Sequence, residues 1–204
     1  IAIPTPDPPS MTTLRILIDD LPAPDRAFDY AVVDDAPAGA AHRRVRRGRG
    51  TPSQWPAAGR TEVVIAAALL RVAALRLPPI SAARINDSAR YALDDQLAAS
   101  ADSMHVATSA QAADGRIVAV ALSRELMQAI VSHVPKVSRI VAEPALLPAD
   151  ADWHWARDRT GRGFLLRPDG SAVAVHAAAG TPPEIALAIQ HAARLGGAPA
   201  RVIV

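Results

Sequence analysis

Residues 77–108, LPPISAARINDSARYALDDQLAASADSMHVAT, set an order of pieces that any fold of this chain must accommodate. An extended segment ends at Leu77, and Pro78-Pro79 breaks it, since proline supplies no N–H and restricts the residue before it. Ile85, Ala89, Ala92, Leu93 and Leu97 then fall at i, i+4, i+7, i+8 and i+12, one face of a helix over 82–98. Arg84, Asp87, Arg90 and Asp94 lie on the other side at spacings of three and four, where opposite charges can pair. An acidic loop and a new strand at 104–110 follow. A helix with one apolar stripe between extended segments makes the chain mixed α/β.

The flanks keep the same grammar. Residues 14–19 and 30–34 read as strands across a turn rich in Pro and Asp, and 62–68 and 70–77 as two more. Residues 36–60 hold Pro, Gly, Ala and Arg without periodicity and are expected to form a long disordered loop. A hairpin joins 104–110 to 116–121 across Ala113-Asp114-Gly115. Ser123 caps a helix that Pro135 stops, and 137–142 is the next strand. After Pro148 come three strands at 153–157, 164–167 and 172–176, linked by Thr160-Gly161 and Pro168-Asp169-Gly170. Thr181-Pro182-Pro183-Glu184 is a capping box with prolines in the first turn. Ile185, Ala188, Ile189 and Ala192 form the buried face of that helix, Gly196-Gly197 ends it, and 201–204 is a strand. The strand–helix–strand run at 116–142 closes a first half, and 153–204 opens a second.

Charge is local. The chain carries 22 basic and 20 acidic residues, a net +2. Arg43, Arg44, Arg46, Arg47, Arg49 and Arg60 all fall in 36–60, which has no acid, so the remainder carries 16 basic against 20 acidic residues. Cysteine is absent, which excludes disulfides and thiolate metal sites. The longest apolar run, 63–75, is thirteen residues and is broken by Arg71, too short to span a bilayer. Residues 1–10 are expected to be a cloning remnant or disordered leader ahead of Met11. The apolar ARVIV at Val204 reads as a strand cut short, so the natural protein is expected to continue.

An extended segment ending in Leu-Pro, a helix with R-x-x-x-x-x-x-Y-A-L-[DE]-[DE]-Q-L-A and an H-x-A strand form a motif. Here it is Arg84, Tyr91, Ala92, Leu93, Asp94, Asp95, Gln96, Leu97, Ala98, His105 and Ala107. The order resembles the cytoplasmic domain of the type II secretion system protein L family (general secretion pathway protein L), over roughly 61–170. The resemblance implies an α/β (α+β) fold of actin-like ATPase architecture, made of two ribonuclease-H-like halves with the second truncated. The first half is expected at 11–148, with an inserted subdomain at about 62–111, and the second begins at 149.

Catalytic signatures are weak by comparison. Actin-like ATPases hold phosphate on glycine turns after strands, where bare backbone can approach closely. Here the first strand ends Ile18-Asp19-Asp20-Leu21-Pro22, and Ala142-Glu143-Pro144 stands where Asp-x-Gly is expected. Asp19 and Glu143 are either remnants of metal-binding carboxylates or solvated turn acids, and Gly196-Gly197 is either a nucleotide contact or a helix cap. His42, His105, His133, His154, His176 and His191 show no metal-ligand spacing, and strand alternation sets His154 opposite Trp153 and Trp155 as a half-buried edge residue. Neither a Gly-x-Ser-x-Gly elbow nor a Walker loop occurs.

The resemblance therefore implies a scaffold without enzymatic activity or cofactor. It would sit at the cytoplasmic face of the bacterial inner membrane and recruit the amino-terminal domain of the secretion ATPase. Other platform proteins of the system and a second copy of the chain are further expected partners. The runner-up is an actin-like nucleotide-binding protein or the related pilus assembly protein. The expected partner surface is Arg84, Arg90, Asp94 and Asp95. Arg43, Arg44, Arg46, Arg47 and Arg49 are expected either to meet anionic lipid headgroups or to be a solvated insertion. Nucleic acid is not expected, because Trp55 stands alone among them.

Overall fold

The computed structural model describes residues 12–34, 44–97, 100–148, 150–176, 180–194, 197, 199 and 201–204. The strands are β1 (Thr12–Ile18), β2 (Phe28–Asp34), β3 (Val45–Gly50), β4 (Arg60–Ile65), β5 (Arg71–Arg76), β6 (Met104–Thr108), β7 (Arg116–Ser123), β8 (Val137–Ala142), β9 (Trp153–Arg157), β10 (Arg162–Leu166), β11 (Ala172–His176) and β12 (Val202–Ile203). The helices are α1 (Ala82–Leu93), α2 (Arg124–His133) and α3 (Pro183–Arg194).

A five-stranded sheet runs β3-β2-β1-β4-β8, and a seven-stranded sheet runs β12-β9-β10-β11-β5-β7-β6. Both contain one pattern. In the first, β1, β2 and β3 form an antiparallel meander and β4 lies parallel to β1. In the second, β9, β10 and β11 form the meander and β12 lies parallel to β9. The second has the three-strand meander, helix and parallel strand of a ribonuclease-H-like half, and the first has a 3₁₀ turn at Pro52–Gln54 in place of the helix. By packing, the chain forms two compact units, 1–65 with 128–141 and 66–127 with 142–204. The expected halves, 11–148 and 149–204, divide it instead by the repeated order of elements.

In the first unit, Leu14, Ile16 and Ile18 of β1 are buried on one face, while on the other Arg15 is exposed and pairs with Glu62 at 2.8 Å. Phe28, Val32, Val63 and Ile65 add to the buried set, and the ring of Phe28 lies 6.5 Å from that of Trp55. In the second unit, α1 covers β5, β6 and β7. Ile85, Ala89 and Leu93 pack on Ala73, Val106, Ile117, Ala119 and Ala121. The fully enclosed alanines let helix and sheet approach closely, which suits a chain with only 3% aromatic residues. Gln111 donates to the Leu77 and Pro78 carbonyls at 3.1 and 3.0 Å, satisfying acceptors that the Pro-Pro break leaves outside any ladder. Ile185 of α3 is buried with Trp153, Trp155, Leu165 and Val175, and Ala188, Ile189 and Ala192 pack beside it, as their spacing predicted.

Several expectations are corrected. The loop expected over 36–60 contains β3, paired along its whole length with β2 from Phe28↔Gly50 to Val33↔Val45, and a 3₁₀ turn at Pro52–Gln54. Glycine is a poor strand former and VRRGRG has no apolar alternation, so it is the pairing with β2 that makes 45–50 extended. The helix expected to reach 98 ends at Leu93 and tightens into a 3₁₀ turn at Asp94–Gln96, and Ala92, expected on its buried face, is exposed. The run at 116–142 does not close one sheet, since β7 pairs with β5 and β6 whereas β8 lies beside β4. His154 is buried rather than half-buried, and β9 is not an edge, because β12 pairs with it.

Candidate functional site

The outer face of α1 is built by default. Its apolar stripe faces the sheet, so the opposite side is delivered outward. Arg84, Asp87, Tyr91, Asp94 and Asp95 are exposed there, and Tyr91 presents 80% of its surface. A large aromatic flanked by charge and left this open is a feature the core does not need. Asp94 accepts the Ala101 N–H at 3.3 Å rather than pairing along the helix, and Arg71 donates to Gln96 at 2.9 Å, which holds the tightened turn in place. Arg90 sits apart from the expected set. It is half-buried, and its Nε is enclosed without a hydrogen bond. Arg84, Asp94 and Asp95 therefore share an open surface with Tyr91, which motif reading had noted only as a family position. Helical spacing from Arg84 through Tyr91 to Asp95 was the signal that could have found it.

The arginines of 44–49 line β3, at the edge of the five-stranded sheet among the described residues. Strand alternation separates them, with Arg44 and Arg46 on one face and Arg47 and Arg49 on the other. Arg49 lies opposite Asp29 and pairs with it at 3.1 Å. Tyr30 lies opposite Gly48, and its ring occupies the space of a Gly48 side chain: an added Cβ would stand 2.5 Å from the Tyr30 Cζ. The aromatic ring thus covers backbone that glycine leaves bare. Arg43 lies outside the described residues, as do Ala98, His42 and Gly196.

Of the two acids considered as metal remnants, Glu143 holds a structural hydrogen bond, and several turn acids are engaged in the same way. Glu143 accepts the Ala67 N–H at 2.9 Å and is half-buried; burial pushes its carboxyl above the ordinary range while the Ala67 N–H opposes the rise. Asp20, beside half-buried Asp19, accepts the Leu21 N–H at 2.7 Å and pairs with Arg26. Burial pushes the Asp158 carboxyl up, but bonds from the Thr160 hydroxyl and N–H and from the Arg162 N–H, with the Arg162 charge, together hold it low. Asp150 meets His154 Nε2 at 2.7 Å, and this contact draws the Asp150 carboxyl below its usual range. Among the described residues, no three His, Asp or Glu side chains converge as metal ligands. Ser123 caps α2, its Oγ accepting the Leu126 N–H at 3.1 Å. Gly197 donates to the Ala192 carbonyl at 2.8 Å beyond the end of α3, the position of a helix cap.

Among the described residues, no helix is long and apolar enough to cross a membrane. The family profile described as type II secretion system (T2SS), protein L, matches residues 42–192. In structure the chain is similar to the cytoplasmic domain of EpsL, an inner membrane component of the type II secretion system of Vibrio cholerae. That match has 14% identity and a TM-score of 0.64, and covers 81% of this chain and 71% of that one. It is also similar to a Bacteroides thetaiotaomicron protein with an actin-like ATPase fold and unknown function, at 9% identity and a TM-score of 0.53, over 92% of this chain and 78% of that one. The PilM–PilN type IV pilus biogenesis complex matches at 11% identity and a TM-score of 0.48, over 88% and 65%. No curated protein sequence matches. The fold is actin-like, as the sequence resemblance implied.

Proposed function

Because this chain belongs to the type II secretion system protein L family, we propose that it is a non-catalytic scaffold of the secretion platform that docks the amino-terminal domain of the secretion ATPase. Its place is the cytoplasmic face of the inner membrane, held by a span outside residues 1–204. The observation that carries this reading is the outer face of α1, where Tyr91 stands open between Arg84 and the Asp94–Asp95 pair. An exposed aromatic anchor with a charged rim is the composition of a protein interface, in which the ring supplies affinity and the charges supply orientation and encounter rate. The scaffold role is supported by Glu143. In the position where an actin-like ATPase is expected to carry Asp-x-Gly, its carboxylate is engaged by the Ala67 N–H.

The test is a titration of the cognate ATPase amino-terminal domain against the parent chain, Tyr91→Ala and the double variant Asp94→Arg, Asp95→Arg. Rim charges mainly slow association, and a buried charge contact costs on the order of 2–5 kcal/mol. Both variants should bind more weakly while melting near the parent temperature. Parent-like affinity in both places the docking surface away from α1. No affinity in the parent chain removes the ATPase-docking reading.

A further inference from the structure

We propose that the free edge of β3 is a strand-addition site that accepts an extended acidic segment of a partner protein. β3 ends its sheet among the described residues, and its ladder to β2 is complete. One step beyond it, the Asp34 N–H donates to the Arg44 carbonyl at 3.2 Å. In an antiparallel pair that bond puts residues 44, 46, 48 and 50 in the hydrogen-bonded register. The N–H and C=O groups of Val45, Arg47 and Arg49 therefore turn away from β2, at the two-residue spacing an incoming strand pairs with.

Side chains select the occupant. Arg44 and Arg46 flank the edge on the face shared with Tyr30 and Val32, and Arg47 flanks it on the other. Asp29 pairs with Arg49 and Asp34 stands opposite Arg44, whereas Arg46 and Arg47 lie opposite Val32 and Ala31 and make no ion pair among the described residues. A second copy of this chain would bring arginines against arginines, and like charges opposed across a ladder destabilise it. The same charges make an acidic strand the favoured occupant. The other sheet edges lack this marking: β8 carries one arginine, β6 carries no Asp, Glu, Lys or Arg, and β12 is two residues long. The Tyr30 ring over Gly48 keeps the edge covered on one face.

The test uses the whole chain and a labelled octapeptide alternating valine and glutamate, followed by fluorescence anisotropy. One control alternates valine and lysine. A second keeps valine and glutamate but is N-methylated at every residue, so it retains charge and loses its ladder donors. The glutamate peptide should saturate and slow amide exchange at Val45, Arg47 and Arg49. Affinity should fall about tenfold in the double variant Arg46→Ser, Arg47→Ser, whose melting temperature reports its fold. Equal binding of the N-methylated peptide, or unchanged exchange at those three amides, overturns the proposal and leaves only charge attraction. So does arginine-dependent binding to phosphatidylglycerol–phosphatidylethanolamine vesicles with no peptide binding, which assigns the arginines to lipid headgroups.

Discussion

The carboxylate of Glu143 accepts a hydrogen bond at 2.9 Å from the backbone N–H of Ala67, 76 positions earlier in the chain. Ala67 opens a 3₁₀ turn over Ala67–Leu69, and Glu143 opens another over Glu143–Leu146. The first N–H of such a turn has no partner within it, so a side chain from elsewhere must supply one. Of the two roles open to Glu143 in the sequence, metal remnant and solvated acid, the structure shows a third: a half-buried acceptor that joins two turns.

Glu143 predicts a distinctive pH dependence. Burial raises its carboxyl pKa, so the folded state holds the proton more tightly than the unfolded state. Stability should then fall as pH rises from the unfolded value through the raised one, and level off above it. Glu143→Gln keeps an acceptor for Ala67 without the charge. It should gain on the parent at neutral pH, with the difference shrinking in acid. Glu143→Ala leaves the N–H unpaired and should cost about 1–3 kcal/mol. Urea unfolding at neutral and mildly acidic pH measures all three, and a Gln variant as weak as Ala would contradict this account.

Leu93 is fully enclosed under α1, whereas Asp94 beside it is exposed. Leu93→Ala should therefore lose about 2–5 kcal/mol through transfer and cavity terms. Reversing Asp94 and Asp95 inverts exposed charge and removes the Asp94 bond to the Ala101 N–H, so it should cost about 1 kcal/mol, well short of the Leu93→Ala loss. Thermal or chemical unfolding separates the two, and similar losses would mean that Asp94 and Asp95 hold the fold.

Gly48→Ala should displace the Tyr30 ring, because the new Cβ would meet its Cζ and hydroxyl oxygen at 2.5 Å. The ring lies at the end of a side chain that can swing aside, so the expected loss is modest, about 1 kcal/mol. Tyr30→Ala removes the obstacle, and the two losses should be less than additive in a double-mutant cycle. Strict additivity would show that the ring and Gly48 do not interact.

Magnesium-ATP should give no saturable heat in calorimetry. The turn after β1 offers Asp19-Asp20-Leu21-Pro22 in place of glycine, and Glu143 is engaged by Ala67. A dissociation constant below about 100 μM, roughly 5.5 kcal/mol of binding, would replace the scaffold reading with that of a nucleotide-binding actin-like protein.

Part of the candidate surface was legible from residue order. The stripe Ile85, Ala89, Leu93 faces the sheet as spacing required, and Arg84, Asp94 and Asp95 face out. Arg90 and Ala92 were misplaced. Helical spacing marks the centre of an apolar face well, but its borders depend on how far the neighbouring sheet extends and on where the last turn tightens.

What the sequence alone determined are the features whose causes lie within a few residues: the Ser123 cap, the apolar faces of α1 and α3, the turns at Asp114-Gly115 and Pro168-Asp169-Gly170, and the order of most strands. Tertiary structure alone decided that 45–50 is a strand, that β7 and β8 join different sheets, and that Glu143 meets Ala67. Caps and helix faces are set by neighbours three or four residues away. A strand's partner, and the acceptor for a buried N–H, can come from anywhere in the chain, so these become definite only when the whole chain has packed.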